Sequence, residues 1–88
     1  LADPDALLEV LAGIDDRESS VLAIGHNPGL HELALRLARH GDDEARARLR
    51  AGFPTAALAV LELDIQRWDE IREGCGTLIE LRAPRDLV

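Results

Sequence analysis

Residues 25–29 have the sequence Gly-His-Asn-Pro-Gly and combine residue types that could bind an anion and move a proton. Asn is a favourable helix N-cap and Pro is tolerated at the first helical position, so Asn27 and the proline after it predict the start of a helix. The backbone amides of Gly29 and Leu30 would then be unpaired donors at the positive end of the helix, where phosphate binds readily. His26 beside them could donate a hydrogen bond to a phosphoryl oxygen, or act as a base or nucleophile.

A purely structural interpretation of the same residues stays open at this point. A glycine-containing junction between a strand and a helix is a weak signal on its own. Asn27 with the proline and glycine that follow could be only a cap and a turn, with His26 hydrogen-bonded to a nearby group.

Residues 39–41 spell Arg-His-Gly and are a second candidate for chemistry. The leucines before them alternate as in a strand, but apolar residues at i, i+3, i+4, i+7 and i+8 from Leu30 to Ala38 form the longer pattern and predict a helix. We therefore predict that His40 lies at the C-terminal end of this helix, where it interacts favourably with the helix dipole, and that Gly41 stops the helix. On this prediction the triplet has no catalytic role.

The other reactive residue types have simpler explanations. His26 and His31 are five positions apart and do not match the i, i+4 histidine pair of a helical zinc site. No metal site is therefore predicted, and His31 is expected on the surface. Cys75 lies between two glycines, and no sequence context marks it as a nucleophile. Trp68 is expected to be a packing anchor.

Capping signals and apolar periodicity predict the elements that position residues 25–29. Helices are predicted over Pro4–Ala12, between an Asp3 N-cap and a Gly13 stop, from about residue 28 to about residue 40, and over the charged stretch 42–50, which Gly52 ends. Strands are predicted at 21–24, 56–63 and 77–81, with one helical turn around Trp68 between the last two.

Two of these strands, at 21–24 and 56–63, are apolar on both faces, which is typical of a parallel sheet covered by helices on both sides. The sequence therefore predicts an α/β protein with a mostly parallel sheet in a three-layer α/β/α arrangement, of which this chain carries a part. His26 would lie at the carboxyl end of the strand at 21–24, where open α/β sheets place ligands. Such a sheet needs more helical cover than 88 residues supply, so we expect further elements outside the chain.

The charge balance of 10 basic and 17 acidic residues, a formal net charge of -7, disfavours nucleic acid and anionic membranes as partners, because both need a basic surface. No apolar run reaches the roughly 18 residues of a membrane span. A single cysteine excludes an internal disulfide and fits a reducing, cytoplasmic location. The chain has no Met and begins at Leu1, from which we expect a truncated or processed chain.

Residues 21–34, Val-Leu-Ala-Ile-Gly-His-Asn-Pro-Gly-Leu-His-Glu-Leu-Ala, resemble the second catalytic motif of the histidine phosphatase superfamily, in particular that of its SixA-like phosphohistidine phosphatase branch. Further matches are Phe-Pro-Thr-Ala-Ala at 53–57, Trp68, Gly74, Gly76 and Pro-Arg-Asp at 84–86. The resemblance covers most of this chain, but only the C-terminal half of a typical member.

The resemblance implies that residues 1–88 are the C-terminal portion of a single histidine phosphatase domain with a phosphoglycerate mutase-like fold. It implies a hydrolase that acts on a phosphohistidine protein or a small phosphate ester through a histidine nucleophile, without metal or cofactor. The nucleophile and the phosphate-binding arginines would come from N-terminal motifs that this chain lacks, so the chain alone is expected to be inactive.

In that family role His26 would be the second catalytic histidine and would stabilise charge on the transferred phosphoryl group. Asn27 and the backbone of Gly29 would contribute to phosphate binding. The alternative is a non-catalytic anion-binding or interaction fragment.

Overall fold

Short helices and strands alternate along residues 3–87, the part of the chain that the computed structural model describes. The helices are α1 (Pro4–Ala12), α2 (Gly29–Leu37) and α3 (Asp43–Ala51). The strands are β1 (Ala38–Gly41), β2 (Leu58–Leu63) and β3 (Gly76–Arg82). Two 3-10 turns cover Trp68–Glu70 and Pro84–Leu87.

Local capping sets the ends of α1 and α3, and the Asp3 cap and the Gly13 and Gly52 stops are those that the sequence predicts. The Asp3 side chain accepts a hydrogen bond from the amide three residues later at 2.8 Å, and α1 ends at Gly13. The Asp42 side chain does the same for α3 at 3.0 Å, and that helix ends at Gly52. Each cap satisfies one of the backbone amides that the first turn of a helix leaves unpaired.

β3 lies in the middle of the sheet, whose strand order is β1-β3-β2. β1 runs parallel to β3, whereas β2 runs antiparallel to it. Both outer strands meet β3 at its first residue, because Ala38 of β1 and Leu63 of β2 each lie opposite Gly76. A Cβ atom at Gly76 would stand 2.8 Å from the carbonyl oxygen of Leu37, so only glycine lets the end of α2 approach the sheet this closely.

The core lies on one face of this sheet. Ala34 of α2, Leu49 of α3 and Leu78 of β3 are buried in one cluster. A second cluster, around the buried residues Leu33 and Leu37 of α2, joins α2 to α1 and to the end of β2. Burial of these apolar side chains is the main term that stabilises the folded chain.

The opposite face of the sheet is open within residues 3–87. Side chains alternate between faces along a strand, so Leu58, Val60 and Ile79 point away from the core, and all three are exposed. The predicted three-layer arrangement with a mostly parallel sheet is therefore wrong: the described chain forms a three-stranded sheet of mixed direction with its helices on one side. Apolar side chains on both faces of β2 predict that other elements pack on both faces, but the described helices pack on one face only.

Residues 21–24 do not form the predicted strand. They are irregular in conformation, and Val21, Leu22 and Ile24 are 42%, 71% and 86% exposed. A strand requires a neighbouring strand for its backbone hydrogen bonds, and within the described chain no hydrogen bond is made by any residue from 19 to 25.

The Arg-His-Gly triplet at 39–41 lies in β1 and not, as predicted, at the end of a helix. α2 ends at Leu37, and the chain passes directly into a strand that pairs with β3. Gly41 has a φ of 130° and lies so close to β3 that a Cβ atom would stand 2.6 Å from the Leu78 carbonyl oxygen. This glycine therefore permits strand pairing and does not act as a helix stop.

The other predicted elements are present with shifted ends. β2 begins at Leu58, later than predicted, because Thr55 and Ala56 form a turn. The helical turn at Trp68 is confirmed. The Trp68 amide donates to the Asp16 carboxylate at 2.9 Å, and its indole Nε1 donates to the Glu18 carbonyl oxygen at 2.8 Å. Trp68 thus anchors the loop that leads to residues 19–25.

Candidate functional site

The loop that carries His26 leads directly into α2. The predicted helix start is correct to within one residue, but the capping differs: α2 begins at Gly29 with Pro28 as its N-cap residue, and Asn27 lies one position further out. Proline has no side-chain acceptor, so the first turn of α2 is satisfied from the loop itself.

Three of the first four amides of α2 have acceptors within the loop. Leu30 donates to the His26 carbonyl oxygen at 3.3 Å, His31 to Asn27 Oδ1 at 3.3 Å, and the amide after it to a loop carbonyl oxygen at 2.9 Å. Gly29 alone has no acceptor among residues 3–87, and it is buried. The predicted pair of free donors at Gly29 and Leu30 is therefore wrong for Leu30, because the loop folds back onto the helix end.

Asn27 holds the loop to a distant part of the chain. Its side-chain amide donates a hydrogen bond to the Phe53 carbonyl oxygen, and its Oδ1 accepts from the His31 amide. Asn27 is therefore a positioning residue in this structure, and its side-chain groups are engaged with protein partners. The predicted contribution of Asn27 to phosphate binding would compete with these contacts.

His31 is more integrated than the sequence predicts. It was expected on the surface, but it is partly buried, and its Nε2 donates to the Leu49 carbonyl oxygen at 2.5 Å. Its ring stacks on that of Phe53, with centroids 6.2 Å apart and an interplanar angle of 20°. His31 and Phe53 thus join the start of α2 to the end of α3. The sequence offers one signal for this contact, which is that Phe53 is the single phenylalanine of the chain, but that signal does not indicate a partner.

His26 is exposed, and its ring makes no hydrogen bond to any residue from 3 to 87. The backbone that follows it is held by the Asn27 contact and by the start of α2. The imidazole is therefore a free donor and acceptor on an anchored loop, available to a ligand from solvent.

The Arg-His-Gly triplet lies beside a different feature, a cleft of about 470 Å³. Arg39 and Arg72 line it without an ion pair to any described carboxylate, and Arg39 packs over Gly74. The remaining lining residues are His40, Asp64, Glu73, Gly74 and Cys75. Two carboxylates offset the two guanidinium groups, so the cleft is not an anion site by charge, and His26 is not part of its wall.

Asp86 and Glu70 are among the carboxylates with a lowered pKa, and neither belongs to the His26 loop. The backbone amide of Ala83 and the Arg48 guanidinium both lower the pKa of Asp86. Two backbone amides, of Gln66 and Arg67, lower the pKa of Glu70. Both groups fasten turns of the chain and are structural.

Two further properties follow from the described residues. No group of three or more His, Cys, Asp or Glu side chains converges as a metal site would require. None of the described helices has the length and apolar character needed to cross a membrane.

Relatives of this chain occur in mycobacteria. It is 34% identical over 86 residues to the uncharacterized proteins MT1313 and Rv1276c of two Mycobacterium tuberculosis strains, an alignment that covers 96% of this chain and 54% of either relative. It is 31% identical over 85 residues to the uncharacterized protein ML1117 of Mycobacterium leprae, with 96% and 52% covered. The chain thus spans about half the length of these relatives. No protein-family model and no solved structure matches it.

Proposed function

We propose that this chain is the part of a histidine phosphatase that supplies the second catalytic histidine, His26. The observation that carries the proposal is the free, exposed imidazole on a loop anchored at its own neighbours, Asn27 and Gly29. The likeness of residues 21–34 to the second motif of the SixA-like phosphohistidine phosphatases supports it. A preorganised donor of this kind is what phosphoryl transfer requires where negative charge develops.

In the proposed reaction a histidine from outside this chain attacks the phosphorus atom. The bond to the leaving group breaks, and the phosphoryl group is carried on that histidine until water hydrolyses it. His26 donates a hydrogen bond to a phosphoryl oxygen and stabilises the transition state. The buried amide of Gly29 has no acceptor among residues 3–87, but it contributes only if the loop opens to admit an oxygen.

The proposed substrates are a phosphohistidine protein or a small phosphate ester, and the proposed location is the cytoplasm. The single cysteine, Cys75, is a buried free thiol, which is compatible with reducing conditions. The reaction uses no metal and no cofactor.

The test is phosphatase activity of a longer protein that contains residues 1–88, assayed with a phosphohistidine protein and with p-nitrophenyl phosphate. We expect hydrolysis of at least one of them, and a fall in turnover of about 10²–10³ in His26→Ala, the effect of removing one transition-state donor. The matched control is His40→Ala, another exposed histidine, which should keep full turnover. Full turnover by a folded His26→Ala protein would refute the assigned role.

A non-catalytic interaction module is the second candidate, and one observation favours it. The open face of the sheet and residues 21–24 expose a set of large apolar side chains that a small monomer rarely leaves in water. A folded, longer protein without activity on either substrate would select this candidate.

A further inference from the structure

Residues 19–23 and β2 both line an apolar groove of about 830 Å³. Its lining is formed by Ser19 to Ala23, by the residues of β2, and by apolar residues of α2, among them Leu33 and Leu37. Ile79 of β3 extends the apolar surface onto the open face of the sheet. The groove is therefore continuous with the exposed side chains that the fold leaves uncovered.

The backbone beside this groove lacks hydrogen-bond partners within the described chain, just as the apolar side chains lack packing partners. Residues 19–25 make no hydrogen bond within the described chain, although Trp68 holds one end of the segment and Asn27 the other. β2 is an outer strand of the described sheet, so within residues 3–87 its peptide groups on the side away from β3 are also without a strand partner. An apolar segment held at both ends, whose backbone donors and acceptors are unpaired within the described chain, can pair with an added strand.

The charges at the groove restrict what can occupy it. Asp16, Glu18 and Glu62 are the charged residues of its lining, and the lining contains no Arg. The whole chain carries a net charge of -7. A second copy of this chain would bring acidic residues against acidic residues, which disfavours self-association through this face.

We propose that this groove docks an apolar strand, with basic or neutral flanks, from the half of a longer protein that lies outside residues 1–88. Mycobacterial relatives have nearly as much chain outside the matched region as within it, which is enough for such elements. The strand pairs with residues 21–24 and covers Leu22, Ile24 and the exposed side chains of β2. The proposal does not depend on the phosphatase assignment, because it uses neither His26 nor a substrate.

The test joins this chain to the unmatched part of the Mycobacterium tuberculosis relative, in the order that the relative has. Tethering makes even a weak contact visible, because it raises the effective concentration of the partner segment. The comparison protein carries a Gly/Ser segment of the same length instead. We expect amide hydrogen exchange at residues 19–25 to slow at least tenfold in the chimera, and binding of a hydrophobic dye to fall.

Matched variants separate docking at this groove from a general effect of added charge. Leu22→Asp should restore fast exchange at 19–25, whereas Val10→Asp, on α1 and outside the groove, should not; the two side chains are 71% and 70% exposed. Unchanged exchange in the chimera would overturn the proposal. So would dimerisation of the 88-residue chain that Leu22→Asp abolishes, which would identify a second copy as the occupant.

Discussion

Gly41 of β1 can be tested by a single methyl group. Its φ of 130° is a conformation that side-chain-bearing residues rarely adopt, and a Cβ atom there would stand 2.6 Å from the Leu78 carbonyl oxygen and 3.0 Å from the Leu78 nitrogen. Both obstructing atoms belong to the backbone of the central strand, which cannot rotate away. Gly52, after α3, is the matched control: its φ of 168° is ordinary extended backbone, and a Cβ atom would meet nothing within 4 Å.

The expected cost of Gly41→Ala has two parts. The unfavourable φ costs about 1–3 kcal/mol, as for other residues held in sparsely populated backbone regions. Relief of the clash separates β1 from β3 locally and weakens hydrogen bonds that contribute roughly 0.5–1.5 kcal/mol each. A loss of about 2–4 kcal/mol is a large part of the ~5–15 kcal/mol that stabilises a small domain. Gly52→Ala should be neutral or stabilising by up to about 1 kcal/mol, because alanine restricts the unfolded chain.

Urea unfolding of the three proteins measures this difference. With a slope of about 1 kcal/mol per M, the unfolding midpoint of Gly41→Ala should fall by roughly 2 M or more, while that of Gly52→Ala stays the same or rises. Amide chemical shifts should change at residues 77 and 78 of β3, opposite the substituted glycine. Equal midpoints for the two variants would refute the close approach of β1 to β3 and the strand assignment of the Arg-His-Gly triplet.

Two further predictions concern the 88-residue chain. Alone, it should show no phosphatase turnover, because the arginines of the proposed mechanism are outside it. Phosphate should bind at millimolar or weaker affinity, with small NMR shifts confined to residues 25–30. Turnover that His40→Ala abolishes would instead make the Arg-His-Gly triplet catalytic. The pKa of Asp86 is lowered by the Ala83 amide and Arg48, so its ionised form stabilises the fold above about pH 4, the ordinary range of Asp, and this contribution is lost as the pH falls through the lowered value. Asp86→Asn should therefore flatten the loss of stability below pH 4, measured as the urea midpoint against pH; an unchanged profile would argue against the Arg48–Asp86 contact.

Local signals predicted α1 and α3 well. Asp3 and Asp42 cap helices with groups only three residues away, and Gly13 and Gly52 end them. Such contacts are encoded within a few neighbouring residues, so a single sequence is enough to find them.

Strands pair with segments that are distant in the sequence, and the sequence predicted the strands less well than the helices. The apolar residues 21–24 have strand-forming side chains, but their backbone finds no strand partner within the described residues. Residues 38–41 continue a helical pattern, yet pairing with β3 overrides it. Apolar patterning indicates which side chains avoid water, but it does not say where the covering element comes from.

The candidate site shows the same division. The position of His26 before a helix was predictable from its neighbours in sequence. The hydrogen bond from Asn27 to the Phe53 carbonyl oxygen, and that from His31 to the Leu49 carbonyl oxygen, were not, because each joins residues that only the folded chain brings together. These two contacts decide how firmly the His26 loop is held.

The meeting of both outer strands at Gly76 gives the sheet an order of assembly. Leu63 reaches Gly76 across a short connection, whereas Ala38 must close a much longer stretch of chain to reach the same residue. Loop-closure entropy grows by about 0.6 kcal/mol for each doubling of length, so the β2–β3 pair should form first and β1 should join it late. The reverse holds on opening: β1 detaches at a lower free energy than the β2–β3 pair and takes Arg39 and His40 with it. Native-state hydrogen exchange should then show faster opening at residues 39–41 than at residues 59–63. The cleft that Arg39 and His40 line would therefore lose part of its wall before the rest of the sheet opens.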